Sequence, residues 1–255
     1  MKTNYFDSQS IARRYEKGRP YFQGEVILRV REQLNFPSML PNALDIACGT
    51  GLSSKALLTV AEQVYATDIS AEMLQVAYLD ERIHYQEAKA EQQPFEPGFF
   101  DLVTVSSGVH WFDINLFLAE TNRVLKPNGW LVIYDSFFAG KMKDVEAFSN
   151  WYPDVYGKKF PPPSRNDRYN WTNEHLNEQH FTLFHEESFQ QVFEFSLDQL
   201  VLYFTTQSNI TAQVEQDQLS YEDAEQWLYQ ELEPFFQGEN RSMFFGGWIK
   251  YLRKV

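Results

Sequence analysis

Two features of this sequence can do chemistry together. The first is the run Leu44-Asp45-Ile46-Ala47-Cys48-Gly49-Thr50-Gly51, which follows an apolar strand candidate and opens a helix. Glycines let a backbone turn sharply and approach a ligand closely. Free N–H groups at a helix start favour anionic or polar ligand groups. The second is Asp68, seventeen positions after Gly51, at the end of the next strand candidate. A carboxylate there can accept both hydroxyls of a ribose, and the spacing matches one strand–turn–helix–strand unit. Alone, Asp68 also reads as a helix N-cap; the pair in this order carries the signal.

The same run discriminates between nucleoside ligands. A dinucleotide fingerprint uses three glycines, for the turn, the pyrophosphate and the helix packing. Here Ala47 stands at the first position, Ser53 and Ser54 occupy the region of the third, and no glycine follows Gly51 before Gly98. That counts against a pyrophosphate ligand and so against an NAD-type oxidoreductase. A metal site is not expected, because the five histidines are scattered and there is no paired-cysteine spacing. Cys48 reads as packing rather than a nucleophile, since no paired base is evident.

The elements that position this pair alternate along the chain. Strand candidates fall at 43–47, 64–68, 83–87, 100–106 and 130–135. Helical stretches at 52–61, 70–79 and 114–125 lie between them, with Ser70 as an N-cap and Glu72 in the first turn. Strands alternating with helices of about ten residues predict a doubly wound α/β fold with a mostly parallel sheet covered on both faces. Residues 8–17 and 22–34 read as helices broken at Gly18-Arg19-Pro20. Beyond 136 the pattern changes. Residues 137–180 show aromatics and three consecutive prolines but no strand alternation, 189–196 and 242–252 read as strands, the latter with a Gly-Gly irregularity, and 197–206 and 221–236 read as helices.

Composition narrows the partners. A net charge of -13 over 255 residues would repel a phosphate backbone, so nucleic acid is set aside as a substrate. No stretch approaches the roughly 18 apolar residues of a membrane span, the N-terminal residues lack the apolar core of a signal peptide, and a single cysteine favours a reducing compartment. These observations predict a cytoplasmic protein, monomeric or homodimeric, acting on a small molecule. Aromatics make up 16% of the chain; a Phe-rich core accounts for most of them, with pockets for flat or cationic ligands as the other use.

LDIACGTG followed by ATDIS resembles motif I and the acidic loop of class I S-adenosylmethionine-dependent methyltransferases. Three later segments continue the likeness in register: AKAEQQPF (88–95), FDLVTVSSGVHWFD (100–113) and RVLKPNGWLVIYD (123–135). HWFD, with YEKGRP (15–20) and LDQLVLYFTTQS (197–208), is similar to the trans-aconitate methyltransferase-like branch, whose members methylate small acids or have unknown substrates. The resemblance implies a seven-stranded Rossmann-like sheet. It divides the chain into an N-terminal helical cover at 1–36, a cofactor-binding core at 37–136, and remaining strands with substrate-cap insertions at 137–255, one domain overall.

It also implies roles. Ala47, Cys48, Gly49 and Gly51 would line the methionine half of S-adenosyl-L-methionine, and Ala47 would need only a negative φ. Asp45 would anchor the turn or reach the cofactor amino group. Asp68 would hold the ribose, with Ile69 stacking on adenine and Ala90 and Glu91 around it. Met73 would lie along the adenine or in the core, and Ser106 would meet the amino acid portion. Tyr15 and Arg19 would close over the cofactor carboxylate or belong to a surface helix and turn. His110 and Trp111 would face the methyl group, the ring drawn to the sulfonium by cation–π attraction, with His110 a base or a structural residue.

A carboxylate acceptor is already ionised at neutral pH and needs no base; a hydroxyl or amine acceptor makes one useful. Residues 141–168 hold six basic and four acidic side chains, and within them Arg165 and Arg168 are candidate forks for an acidic substrate. The expectation is O-methylation of a small carboxylate. N- or C-methylation of another metabolite, an NAD-type oxidoreductase and a non-catalytic cofactor-binding protein stand behind it.

Overall fold

The computed structural model describes residues 9–163 and 169–255. Its elements are, in order, α1 (Gln9–Gly18), α2 (Gln23–Leu34), β1 (Leu40–Ile46), α3 (Leu52–Leu57), β2 (Ala61–Asp68), α4 (Ala71–Gln75), β3 (Ile83–Glu87) and β4 (Phe100–Ser106). A 3-10 turn (Val109–Trp111), α5 (Ile114–Val124), β5 (Leu125–Met142) and α6 (Glu146–Trp151) follow. A π-helical turn (Tyr152–Tyr156) then leads into α7 (Gly157–Lys159), and the chain ends with α8 (Asn173–Glu178), β6 (Phe181–Phe195), α9 (Leu197–Thr205), α10 (Ser208–Glu215), α11 (Tyr221–Phe236) and β7 (Arg241–Lys254).

The seven strands form one sheet in the order β3-β2-β1-β4-β5-β7-β6. Strands β1 to β5 pair in parallel. The chain winds outward from β1 through β2 to β3, then restarts at β4 on the other flank of β1. The switch point between β1 and β4 is where open α/β sheets place their ligands. This is the doubly wound, mostly parallel, seven-stranded arrangement expected. Among the described residues no helix is long and apolar enough to cross a membrane.

The chain divides into two compact units. One comprises Tyr21–Ser136, Arg165–Ser188 and Gly247–Val255. Its core runs along β1, β4 and β5, where Leu44, Ile46, Val103, Val105, Leu131 and Ile133 pack with Phe100, Phe117 and Leu118. Residues on both faces of β4 are buried, which is why FDLVTVS reads as an unbroken apolar run. The other unit comprises Met1–Pro20, Phe137–Ser164 and Phe189–Gly246. It is an aromatic core in which Phe148, Tyr156, Phe160 and Phe204 are buried, and Trp151 is anchored through an Nε1–H bond to Glu231 at 2.9 Å.

Several boundaries differ from the sequence reading, each for a tertiary reason. The helix expected over 52–61 ends at Leu57, because Val60 and Ala61 are taken into the sheet: Leu40 N–H donates to the Val60 carbonyl at 2.8 Å and Leu40 pairs with Ala61. The helix expected over 70–79 stops at Gln75. Its continuation bends so that Tyr78 N–H reaches the Thr50 carbonyl at 3.0 Å, in the glycine turn. Strand β5 begins at Leu125, which pairs with Phe100, and takes in the Lys-Pro-Asn-Gly segment with a register shift. Strand β6 begins at 181 rather than 189, and α10 was not expected. Strand β7 runs unbroken through Gly246, whose missing side chain makes room for the Phe137 ring; a Cβ there would stand 3.0 Å from it.

Candidate functional site

The parallel strands β1, β2 and β4 end side by side at the switch point, so the loops after them share one edge of the sheet. The turn after β1 is built from left-handed residues: Ala47 has φ 56, Gly49 φ 54 and Gly51 φ 79. This corrects the expectation that Ala47 needs only a negative φ. The turn reverses within four residues, which Cys48 N–H bonding to the Thr67 carbonyl and Gly51 N–H to the Cys48 carbonyl, both at 3.0 Å, close tightly enough to impose the conformation.

The two glycines serve opposite sides. A Cβ on Gly51 would collide with the Tyr85 hydroxyl, which itself donates to the Tyr78 carbonyl at 2.7 Å. A Cβ on Gly49 would meet nothing within 4 Å. The turn is therefore closed beneath Gly51 and open above Gly49. Gly51→Ala is expected to destabilise the protein by about 2 kcal/mol, from left-handed strain and displacement of Tyr85; a melting temperature unchanged within error would count against this packing.

Asp68 closes the turn from β2. Its Oδ2 accepts from Gly49 N–H at 2.8 Å and its Oδ1 from Ser70 N–H at 2.9 Å. The Ile69 N–H bonds the carboxylate as well, and the group as a whole keeps acceptor capacity for a further donor. The N-cap of α4 is Ser70, whose hydroxyl accepts from Met73 N–H at 3.2 Å. Burial raises the Asp68 pKa, opposed by these backbone N–H bonds. Ile69 next to it is 51% exposed, an apolar side chain held at the site edge. Met73 is only 3% exposed and packs inward.

Asp45 lies deeper. It is fully buried, and its carboxylate accepts from Ser53 and Ser54 (both 2.6 Å on Oδ2) and from Thr104 (3.1 Å on Oδ1). These three hydroxyls tie β1 to the first turn of α3 and to β4. They leave Asp45 turned into the protein, as an anchor of the turn. Desolvation raises its pKa to about 6, against the three hydroxyl bonds. Ser53, Ser54 and Thr104 were not singled out as functional. The serines adjoin the turn in sequence, whereas Thr104 reaches Asp45 only through the register pairing of β1 with β4. The Cys48 thiol is also buried, and desolvation with the Asp68 and Asp45 charges pushes its pKa well up, so it stays a thiol.

The remaining edge is built by β4 and the loops beside it. Ala90 is buried, and Glu91 Oε1 accepts from Asp113 N–H at 2.8 Å, tying the 88–95 loop to the start of α5. Ser106 ends β4 opposite Tyr134 of β5. His110 and Trp111 sit on the 3-10 turn with ring centroids 4.8 Å apart, held between buried Val109 and Phe112. The structure therefore brings Asp45, Ala47, Cys48, Gly49, Gly51, Asp68, Ile69, Ala90, Glu91, Ser106, His110 and Trp111 into one unit, around the strand ends and the loops that follow them. Tyr15 and Arg19 belong to the other unit. There Arg19 Nη2 donates to the Thr206 carbonyl at 2.8 Å and the guanidinium lies over the Tyr15 and Tyr203 rings. Arg165 and Arg168 lie outside the described residues. Among the described residues no His, Cys, Asp and Glu cluster could hold a metal.

Residues 44–133 match the family model described as a methyltransferase domain. Over 95 residues the chain is 41% identical to a demethylmenaquinone methyltransferase of Clavibacter sepedonicus, covering 35% of this chain and 39% of that protein. Over 118 residues it is 35% identical to a malonyl-[acyl-carrier protein] O-methyltransferase of Legionella pneumophila, covering 43% and 42%. The chain thus spans less than half the length of these two curated relatives. Among solved structures, a proposed type II methyltransferase from Anaeromyxobacter dehalogenans shares the fold at TM-score 0.62 and 21% identity, covering 96% of this chain and 94% of that one. A phosphoethanolamine N-methyltransferase from Haemonchus contortus, solved with S-adenosyl-L-methionine, does so at TM-score 0.53 and 18% identity, covering 99% and 60%.

Proposed function

From a chain that carries the methyltransferase domain over residues 44–133, on the fold of the class I S-adenosylmethionine-dependent enzymes, we propose an enzyme that moves the methyl group of S-adenosyl-L-methionine to a carboxylate oxygen of a small molecule. The observation that carries the cofactor reading is the open face of Gly49 beside an Asp68 carboxylate with acceptor capacity to spare. Two neighbours fit the same ligand: the exposed Ile69, and a buried Thr50 hydroxyl that has no hydrogen-bond partner in the turn. A nucleoside carrying an amino acid would satisfy all four.

Asp68 would hold the ribose hydroxyls, Ile69 would cover the adenine, and Ala47, Cys48, Gly49 and Ser106 would line the amino acid portion. When bound, S-adenosyl-L-methionine supplies an electrophilic methyl group on a positively charged sulfur. Trp111 would offer its ring face to that charge. A carboxylate acceptor arrives ionised, so no proton has to be removed and the chain's task is to align the oxygen and exclude water. Methyl transfer to that oxygen would give an ester and a neutral thioether, with no proton for the chain's residues to move. His110 would then orient the acceptor rather than deprotonate it. The likeness to a malonyl-[acyl-carrier protein] O-methyltransferase supports oxygen as the target.

A second reading, C-methylation of a quinone-type ring, draws on the likeness to a demethylmenaquinone methyltransferase. Turnover of labelled S-adenosyl-L-methionine with a panel of small mono-, di- and tricarboxylic acids, trans-aconitate among them, and with a demethylated quinol separates the two. The carboxylate reading expects ester product from an acid, and a His110→Ala variant that keeps the shape of the kcat–pH profile while losing no more than about tenfold in rate. Labelled quinol and no ester would replace it with the second reading.

A further inference from the structure

The loop after β4 meets the glycine turn at a glycine of its own. Gly108 is the N-cap of the 3-10 turn that carries His110 and Trp111, and it belongs to the same unit as Ala47. Its backbone sits at φ -114 and ψ -21, a right-handed conformation open to any residue. Conformation therefore does not call for glycine there, but space does. A Cβ at position 108 would stand 2.9 Å from the Ala47 Cβ, whereas carbon atoms in contact keep about 3.5–4.0 Å. The next atoms it would meet, on Phe112 and Val105, are 3.6 Å away, an ordinary contact. The Ala47 methyl is thus the obstacle to a side chain at 108.

Ala47 has little room to retreat. It is held at φ 56 in a turn pinned to β2, through Cys48 N–H on the Thr67 carbonyl at 3.0 Å and Gly49 N–H on Asp68 at 2.8 Å. The loop opposite has local bonds. Ser107 N–H donates to the Tyr134 carbonyl at 2.9 Å. Beyond it the turn closes through its own backbone, with Trp111 N–H on the Gly108 carbonyl at 3.1 Å and Phe112 N–H on the Val109 carbonyl at 3.2 Å. A side chain at 108 would therefore be relieved by lifting the turn that bears His110 and Trp111.

We propose that Gly108 is a positioning residue for methyl transfer: its missing side chain lets the His110–Trp111 turn seat directly on Ala47 and so sets the gap between acceptor and methyl group. Ala47 and Gly108 act as one steric pair, with a methyl group on one side of the contact only. Moving reacting groups apart by about 1 Å can cost on the order of 100-fold in rate, so a second methyl in this contact acts on the chemical step. The assignment rests on the reading that puts the cofactor at the glycine turn and the acceptor at His110 and Trp111. It does not depend on which acceptor atom is methylated.

The test is a double-mutant cycle in the full chain with Gly108→Ala, Ala47→Gly and the two together. Three readouts are taken: amide hydrogen exchange at Trp111 and Phe112, which needs no acceptor; calorimetric binding of S-adenosylhomocysteine; and kcat on whichever acid or quinol the wild type methylates. Gly108→Ala is expected to speed exchange at both amides at least tenfold and to lower kcat tenfold or more, with S-adenosylhomocysteine affinity within threefold of wild type. In the Ala47→Gly background the same change meets no close atom. The double variant is therefore expected to stay within threefold of Ala47→Gly alone in exchange and in kcat. An equal effect of Gly108→Ala in both backgrounds overturns the pairing, as does unchanged exchange in the single variant. Affinity for S-adenosylhomocysteine falling as far as kcat would assign position 108 to the cofactor, and kcat unmoved while exchange rises would take the acceptor away from this turn; either overturns the proposal with the cofactor reading intact. A wild type that does not bind S-adenosylhomocysteine overturns the cofactor reading, and this assignment with it.

Discussion

An Asp68→Ala variant is expected to bind S-adenosylhomocysteine at least about 100-fold more weakly than wild type. The carboxylate does two jobs at once. It accepts from Gly49 N–H and Ser70 N–H, which holds the turn after β1 against the end of β2. Its remaining acceptor capacity is the proposed partner of the ribose hydroxyls. Hydrogen bonds to a charged group contribute about 1.5–3 kcal/mol each, and two such bonds correspond to the stated loss. Calorimetric titration with S-adenosyl-L-methionine, S-adenosylhomocysteine and NADH checks this. Micromolar binding of the sulfur ligands that disappears in the variant, with no heat from NADH, is the expected pattern. A variant that binds as well as wild type would mean that Asp68 serves only the turn, and a preference for NADH would require reassigning the glycine turn.

The second large effect concerns stability. Asp45 has its pKa raised from 3.8 to about 6 by desolvation, with Ser53, Ser54 and Thr104 pulling the other way. A raised carboxylate pKa means that the folded protein holds the proton more tightly than the unfolded chain. Stability from this group is therefore full below pH 3.8 and is lost as pH rises toward 6, leaving a deficit of about 3 kcal/mol at neutral pH. Asp45→Asn removes the charge while keeping an acceptor oxygen, and the three hydroxyls can rotate to accept from the amide.

The variant is expected to exceed wild type by about 1–3 kcal/mol at pH 7.5 and to match it near pH 4, measured as the difference between urea unfolding curves. Cys48, Tyr85 and Tyr134 feel the Asp45 charge, and Asp45 feels that of Asp68. The comparison at two pH values keeps the part of their titration that both proteins share out of the difference. A wild type that gains on the variant between pH 4 and 7.5 would show the hydroxyl cage outweighing desolvation. The carboxylate then would be a net stabiliser of the turn.

Some of this was readable from the chain alone, because the signal lies within a few residues. The alternation of short apolar runs with helical stretches determined the doubly wound class, since near-continuous apolar strands are stable only in a sheet covered on both faces. β3 and β4 were located to the residue, and Ser70 as a cap, because turn chemistry and capping are local. The glycine turn and the acid one unit later marked the candidate site for the same reason.

What only the tertiary structure decided depends on partners distant in sequence. Ala47 takes φ 56 because hydrogen bonds to β2 and within the turn impose it, not because alanine prefers it. The helix after the turn ends at Leu57 because Val60 and Ala61 are drawn into pairing with β1, against a local pattern that continues. Thr104 reaches Asp45 through strand register, across fifty-nine positions of chain. Periodicity and turn residues mark elements and the ends of strands, but which polar atoms meet, and which are left waiting, follows from packing that no short stretch of sequence contains.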